Sequence, residues 1–221
     1  GENNEVSPGD DAISVGVIYN SQAVTAVGSA ATKTDGAFAT ANRAPVMQTF
    51  KDNDGAEFSV VVNHFKSKGS VVNGEEAIGD GQGNNNPTRV EAAKELRDWL
   101  ATKPTGSDDS DVLILGDLNA YAMEDPITTL KDAGFELLDD DYSYVFDGFW
   151  GSLDHALASE TLAEQVTGTT TWHINADEAS ALDYNTDFTN GRQDDNLYAD
   201  DAFRSSDHDP ILVGLNLVPE V

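Results

Sequence analysis

The chain has no cysteine. This excludes disulfide cross-links and thiolate chemistry, and it is compatible either with a reducing compartment or with a secreted protein that does without bridges. Cations are scarce: 12 Lys and Arg stand against 40 Asp and Glu in 221 residues, a formal net charge of −28. A molecule this acidic repels itself and other polyanions until dissolved ions shorten the Debye length to about 8 Å or less. A saline, extracellular setting and a monomeric state are therefore expected, with most of the acidity serving as a solvated coat. Long apolar runs are missing too: no stretch of about 18 apolar residues occurs, so no membrane partner is expected. The opening Gly1-Glu2-Asn3-Asn4-Glu5 lacks the charged and apolar regions of a signal peptide, so an export signal is expected upstream.

The 39% hydrophobic content suffices for one sizeable core, and residues 1–221 read as one domain without internal repeats. Ile13 to Tyr19 and Val24 to Val27 carry the β-branched residues of an opening hairpin. Val46 to Phe50 and Phe58 to Val62 flank Asp52-Asn53-Asp54-Gly55, whose Asp-Gly pair favours a tight turn; the glutamate of an EF-hand loop is missing. Residues 66–87 have no sustained period and read as a long surface loop. From Thr88 to Leu100 apolar residues recur at three and four, with Thr88 as the expected N-cap and Glu91 as its capping-box partner. Asp111 to Leu115 is a continuous apolar strand of the kind buried on both faces, and a second helix starts at Asp125-Pro126 and stops at Gly134. Tyr142 to Phe146, Leu153 to Ala158 and Ile211 to Leu217 complete the expected elements, while residues 174–205 read as a polar loop. The acidic clusters Asp139-Asp140-Asp141, Asp194-Asp195 and Asp200-Asp201 read as solvated loop.

Four short segments lie at the ends of these apolar runs: Asn63-His64-Phe65, Gly116-Asp117-Leu118-Asn119, Ser152-Leu153-Asp154-His155 and Ser206-Asp207-His208-Asp209-Pro210. Together they hold the groups that metal-assisted phosphodiester chemistry needs. Asp117 and Asn119 offer a carboxylate and an amide to one phosphate or its attacking water, and Gly116 permits close backbone approach. His208 suits a general base, Asp154 can hold its tautomer, and Asp207 offers a carboxylate to a hard cation. His64 can donate to a phosphate oxygen or a leaving group, and Arg43 can clamp phosphate in bidentate fashion. Arg43, Lys66, Lys68, Arg89 and Arg204 fall close to these segments, which suggests cationic charge gathered where a polyanion lands. Each segment alone also has a structural reading, as a strand exit, a turn cap or a surface charge; the company of the other three gives each its weight.

In this order, the four segments resemble the endonuclease/exonuclease/phosphatase superfamily. Asn42-Arg43-Ala44-Pro45, Asn63 to Lys68, Ser152 to Ala156, Trp172 to Glu178, Leu182 to Asn185 and Arg204 to Pro210 are similar to its secreted bacterial nucleases. The resemblance implies an α+β fold, a four-layer α/β/β/α sandwich of two mixed sheets. It implies His208 as the base that activates water, Asp154 as its orienting carboxylate, Asp207 as a metal ligand, and Asp117, Asn119 and His64 at the phosphate. Arg43, His173, Tyr184, Asn185 and Arg204 are implied as lining the substrate groove. The cofactor expected is Mg²⁺ or Mn²⁺, with Ca²⁺ as an alternative, and the partner a nucleic acid substrate, DNA before RNA. Two rival functions stay open: a phosphoesterase of the same fold acting on a lipid or inositol phosphate, and a catalytically inactive binding module. Family members also carry an asparagine-bearing strand and a glutamate-bearing strand ahead of the segment matching Ile13 to Tyr19. No residues here match them, so the chain is expected to be an N-terminally incomplete domain.

Overall fold

A computed structural model describes residues 13–139, 141–182, 191, 196–199 and 201–219. The strands are β1 (Val24–Thr32), β2 (Val46–Asp52) and β3 (Glu57–His64), followed by helix α1 (Asn86–Leu100), β4 (Val112–Asp117) and helix α2 (Asp125–Asp132). There follow β5 (Phe135–Leu137), β6 (Tyr144–Phe146), β7 (Phe149–Gly151), β8 (Asp154–Ser159), the short helix α3 (Glu160–Ala163), β9 (Val166–Thr171) and β10 (Ile211–Leu215). This is a mixed α+β fold. Six strands form one sheet in the order β1-β2-β3-β4-β8-β5, and β9 pairs with β10. Only β3 and β4 run parallel within the larger sheet, with α1 in the crossover between them; the other pairs are antiparallel.

The pleat of the central strands explains the two sides of the sheet, because successive side chains leave a strand on opposite faces. Val61, Ile114 and Leu157 point to one side and meet Ala92, Ala93 and Leu96 of α1 and Ile127 and Leu130 of α2. Leu113 and Ala158 point to the other and pack with Leu162, Leu215 and Leu217. The six-stranded sheet is thus buried on both faces, which is why β4 reads as an unbroken apolar run. Helices α1 and α2 cover one face, and α3 and the segment from β10 to Leu217 pack toward the other.

Several local expectations hold. The β2–β3 turn carries Gly55 at φ +98°, with the Asp52 carboxylate accepting the N–H groups of Asp54 and Ala56 at 2.9 Å each. Helix α2 starts at Asp125-Pro126 and gives way to Gly134 at φ +97°. Others are corrected. Ile13 to Tyr19 forms no strand: Ile18 is fully exposed and the Tyr19 ring rests on Phe50 at 5.0 Å, while Val24–Thr32 pairs with β2 instead. Helix α1 begins at Asn86 rather than Thr88, with Asn85 in the left-handed conformation as N-cap. The Thr88 N–H donates to Glu75 at 3.0 Å, so a distant glutamate does what Glu91 was expected to do. Strands β7 and β9 carry too little apolar alternation to be read from sequence.

Candidate active site

The ladder itself lines up the first three site residues. His64 pairs with Asp117 across β3 and β4, and Asp117 pairs with Asp154 across β4 and β8. The three therefore stand in one row across the sheet, on the face turned away from α1 and α2. Gly116 allows the strands to come this close: at φ +126°, a Cβ there would lie 2.1 Å from the Asn63 carbonyl oxygen. Asn119 joins the row by a different route from the one its spacing suggests. The strand has ended at Asp117, and Asn119 adopts φ +48°. Its N–H and side-chain amide donate to the two Asp117 oxygens at 2.8 and 2.9 Å, and the amide also donates to the Phe65 carbonyl at 3.0 Å.

His208 arrives from the other layer, just before β10. Its Nδ1 lies 2.6 Å from Asp154 Oδ2, and its ring packs against Tyr144 at 4.6 Å between centroids. The same Asp154 oxygen accepts from the Ser143 hydroxyl at 2.7 Å, so the carboxylate is held from two directions. His64 Nε2 lies 3.4 Å from Asp117 Oδ2. Donor atoms of Asp117, Asp154 and His208 all fall within 4.8 Å of one another, the set that could hold a metal ion among the described residues. Asp207, expected from sequence as the metal ligand, is outside this set; its charge acts instead on His208 and Tyr144.

The electrostatics follow from this crowding. Burial and the neighbouring Asp154 charge push the Asp117 carboxyl up to about 6. For His208, burial opposes the charged ring, but the Asp154 hydrogen bond and the charges of Asp154, Asp117 and Asp207 outweigh it and raise the imidazole to about 9.

The cations divide. The Arg43 N–H donates to the His64 carbonyl at 3.1 Å, which seats Arg43 beside the row. Burial and the charges of Arg43 and Arg89 depress the Lys66 ammonium, so these three cations share one region. Arg89, however, is fully buried: its guanidinium donates to the carbonyls of Lys66, Asn84 and Gln82 at 3.1, 2.8 and 3.0 Å. Lys68 is bound to Glu124 and lies over the Tyr121 ring. Arg204 spends Nη1 on the carbonyls of Asn175 and Ala176, at 3.0 and 3.4 Å. Arg89, Lys68 and Arg204 thus hold loops together instead of presenting charge to a groove. Tyr184 and Asn185 lie outside the described residues.

Asp209 and His155 were not among the site residues expected from sequence, whereas His173 was expected to line the substrate groove. Asp209 accepts the N–H groups of Ile174, Asn175 and Ala176 at 3.1, 2.8 and 2.9 Å, and His173 sits between Asp209 at 3.0 Å and Asp141 at 3.1 Å. His173 therefore supports the loop that carries it, with its ring stacked on Tyr142. His155 is buried with Nδ1 2.9 Å from Asp139 and Nε2 2.7 Å from the Ala120 carbonyl, clamping the end of the Asp117–Asn119 turn. Asp139 and Asp141 are consequently partnered, not simply solvated. Alternation along β8 places His155 opposite Asp154 and so on the inner face, a signal that was available. Its acidic partner was not, because Asp139 sits in a run that looks like coat.

A family model described as Endonuclease/Exonuclease/phosphatase family matches residues 3–186. Among solved structures, the chain is similar to an endonuclease/exonuclease/phosphatase family protein from Bacteroides thetaiotaomicron, at 16% identity and a TM-score of 0.54 over 88% of this chain and 66% of that one. It is also similar to a mannosyl-6-phosphatase from Bacteroides thetaiotaomicron VPI-5482, at 16% identity and a TM-score of 0.55 over 90% and 69% of the two chains. A humanized D. rerio TDP2 matches at 10% identity and a TM-score of 0.51, over 86% and 66%. The chain spans about two thirds of the length of each, and at these identities the likeness is one of fold. No curated protein matches it.

Proposed function

The chain belongs to the endonuclease/exonuclease/phosphatase family, and from that premise we propose that it serves divalent-metal-dependent hydrolysis of phosphodiesters, with extracellular nucleic acid, DNA foremost, as substrate. The observation that carries this reading is the contact between His208 Nδ1 and Asp154 at 2.6 Å, beside a row of His64, Asp117 and Asn119. With Nδ1 engaged as a donor, Nε2 is the ring atom left to take a proton from water. Asp154, itself held by Ser143, fixes that tautomer and stabilises the imidazolium that forms. His64 supplies a donor for a phosphoryl oxygen, Asn119 fixes the Asp117 carboxylate by spending its amide hydrogens on Asp117 and the Phe65 carbonyl, and Arg43, whose backbone N–H is bound to the His64 carbonyl, adds positive charge to the same region.

The carboxylates of Asp117 and Asp154, within 4.8 Å of His208, offer oxygen atoms to a divalent cation such as Mg²⁺ or Mn²⁺, with Ca²⁺ also accommodated, and this leaves the His208 ring for the proton. Asp117 is the residue best suited to hold it, because its carboxyl is raised by burial and then by the Asp154 charge, and a bound cation would favour the ionised form against both. When bound, such an ion supplies positive charge to the phosphoryl oxygen and the departing alkoxide. The groups available address phosphate and not base edges, so cleavage tolerant of sequence is expected.

The test is nicking of supercoiled plasmid with Mg²⁺ or Mn²⁺ against an EDTA control. His208→Ala is expected to slow it by about 10²- to 10⁴-fold. Near-normal nicking by that variant would remove His208 as the base, and phosphate release from monoesters without any nicking would favour a phosphatase.

A further inference from the structure

Beside the catalytic row, at the same end of the sheet, lies a cleft of about 470 Å³ that the hydrolytic residues do not use. Its volume falls within the roughly 300–1,000 Å³ of small-molecule sites. Tyr121, Met123, Tyr142 and Trp150 supply its apolar lining, and Asp141 and Ser152 its polar edge. The lining is attached directly to the site: Tyr121 follows Asn119 by two residues, Ser152 precedes Asp154 by two, and Tyr142 adjoins Ser143, which donates to Asp154 at 2.7 Å.

The rings are arranged for stacking. His173 and Tyr142 lie 3.9 Å apart and within 11° of parallel, and Tyr142 and Trp150 lie 4.8 Å apart at 31°. Tyr142 is the middle ring of this series, and Trp150 remains 66% exposed. Gly151 lets the Tyr121 ring approach so closely that a Cβ there would lie 2.5 Å from it. Trp150 and Met123 are among the most exposed large apolar side chains of the described residues, so nothing in the core accounts for them.

We infer that this cleft binds one unstacked nucleobase flanking the phosphodiester held at the catalytic row, with Trp150 as the stacking surface. The inference rests on the nuclease reading above and narrows it to substrates that present an unpaired base. Every base has a π-face, so such stacking tolerates any sequence. The Asp141 carboxylate in the lining, held by His173 at 3.1 Å, keeps lone pairs that can accept from an exocyclic amine and has no donor to offer phosphate, so the cleft suits the base and not the backbone.

The experiment measures binding without cleavage. In EDTA, the full chain is titrated calorimetrically with a short single-stranded oligodeoxynucleotide and with the same oligonucleotide carrying an abasic residue at its centre. The intact oligonucleotide is expected to bind about 5- to 100-fold more tightly, a ratio set by one stacked base. Trp150→Ala is expected to abolish that ratio, whereas Trp150→Phe, which keeps an aromatic face, retains most of it. Trp150 is largely exposed, so its loss spares the core. Equal affinity for the two oligonucleotides, an undiminished ratio in Trp150→Ala, or tighter binding of methyl mannoside than of a nucleoside would each overturn the proposal. Plasmid nicking by the Trp150→Ala protein with Mg²⁺ separates the two readings. Nicking together with an unchanged ratio discards the base site and leaves the hydrolase reading intact, whereas a base-dependent ratio with no nicking does the reverse.

Discussion

Asp154 serves His208 in two ways that pull its reactivity in opposite directions. It fixes the ring, which favours proton abstraction, and it raises the imidazole to about 9, which keeps the ring protonated at neutral pH. Asp154→Asn should therefore separate the effects. In EDTA, the His208 ring titration followed by NMR is expected to fall toward the ordinary histidine value near 6.5. With metal, the acid limb of the rate profile is expected to shift to lower pH while the plateau drops by about 10²- to 10⁴-fold. An unshifted titration would mean that Asp154 is not what raises His208. The same linkage affects stability. Because the folded pKa lies above the unfolded one, the His208 contribution is fully present below about 6.5 and is lost as pH rises through about 9. Thermal melts of the metal-free protein should show that loss between these limits, and it should be smaller in Asp154→Asn.

At the scale of elements, the segment between β3 and α1 is held by a buried ionic hub. Arg89, within α1, has no exposure and reaches three carbonyls of that segment; Glu124, at the start of α2, approaches its guanidinium at 3.9 Å and also binds Lys68. Removing one member of a buried pair leaves an uncompensated charge, which typically costs about 3–5 kcal/mol. Glu124→Ala is expected to lower the urea midpoint by an amount of that order, whereas Lys94→Ala, on the exposed face of α1, should leave it nearly unchanged. An unchanged midpoint in Glu124→Ala would mean that the carbonyls alone satisfy Arg89. This scale is also where sequence reading was weakest. A helix boundary two residues early, a cap supplied by Glu75 and an arginine spent on carbonyls all depend on a loop folding back, and no local pattern encodes that. Strand β4, by contrast, was legible because burial on both faces leaves no polar positions.

At the scale of the whole molecule, a formal net charge of −28 means that compaction works against self-repulsion. Raising ionic strength from about 0.01 to 0.15 M shortens the Debye length from about 30 to 8 Å. The melting temperature is expected to rise over that interval, and dependence in the opposite direction would show that specific surface ion pairs outweigh the net field. No helix among the described residues is long and apolar enough to cross a membrane. The amino-acid sequence by itself determined which residue types stand at the strand ends. It also determined the buried character of β4, the hairpin at Gly55 and the glycine at position 116, because periodicity, turn chemistry and backbone freedom are local properties. Tertiary structure alone decided which groups meet. The parallel register of β3 on β4 and the antiparallel register of β8 put His64, Asp117 and Asp154 in one row, and β10 delivered His208 to it. It likewise moved Asp139 from solvated coat to partner of His155, and left Asp207 outside the cluster that Asp117 joins. Convergence of this kind is a matter of strand order and register, and both are set by packing between residues far apart along the chain.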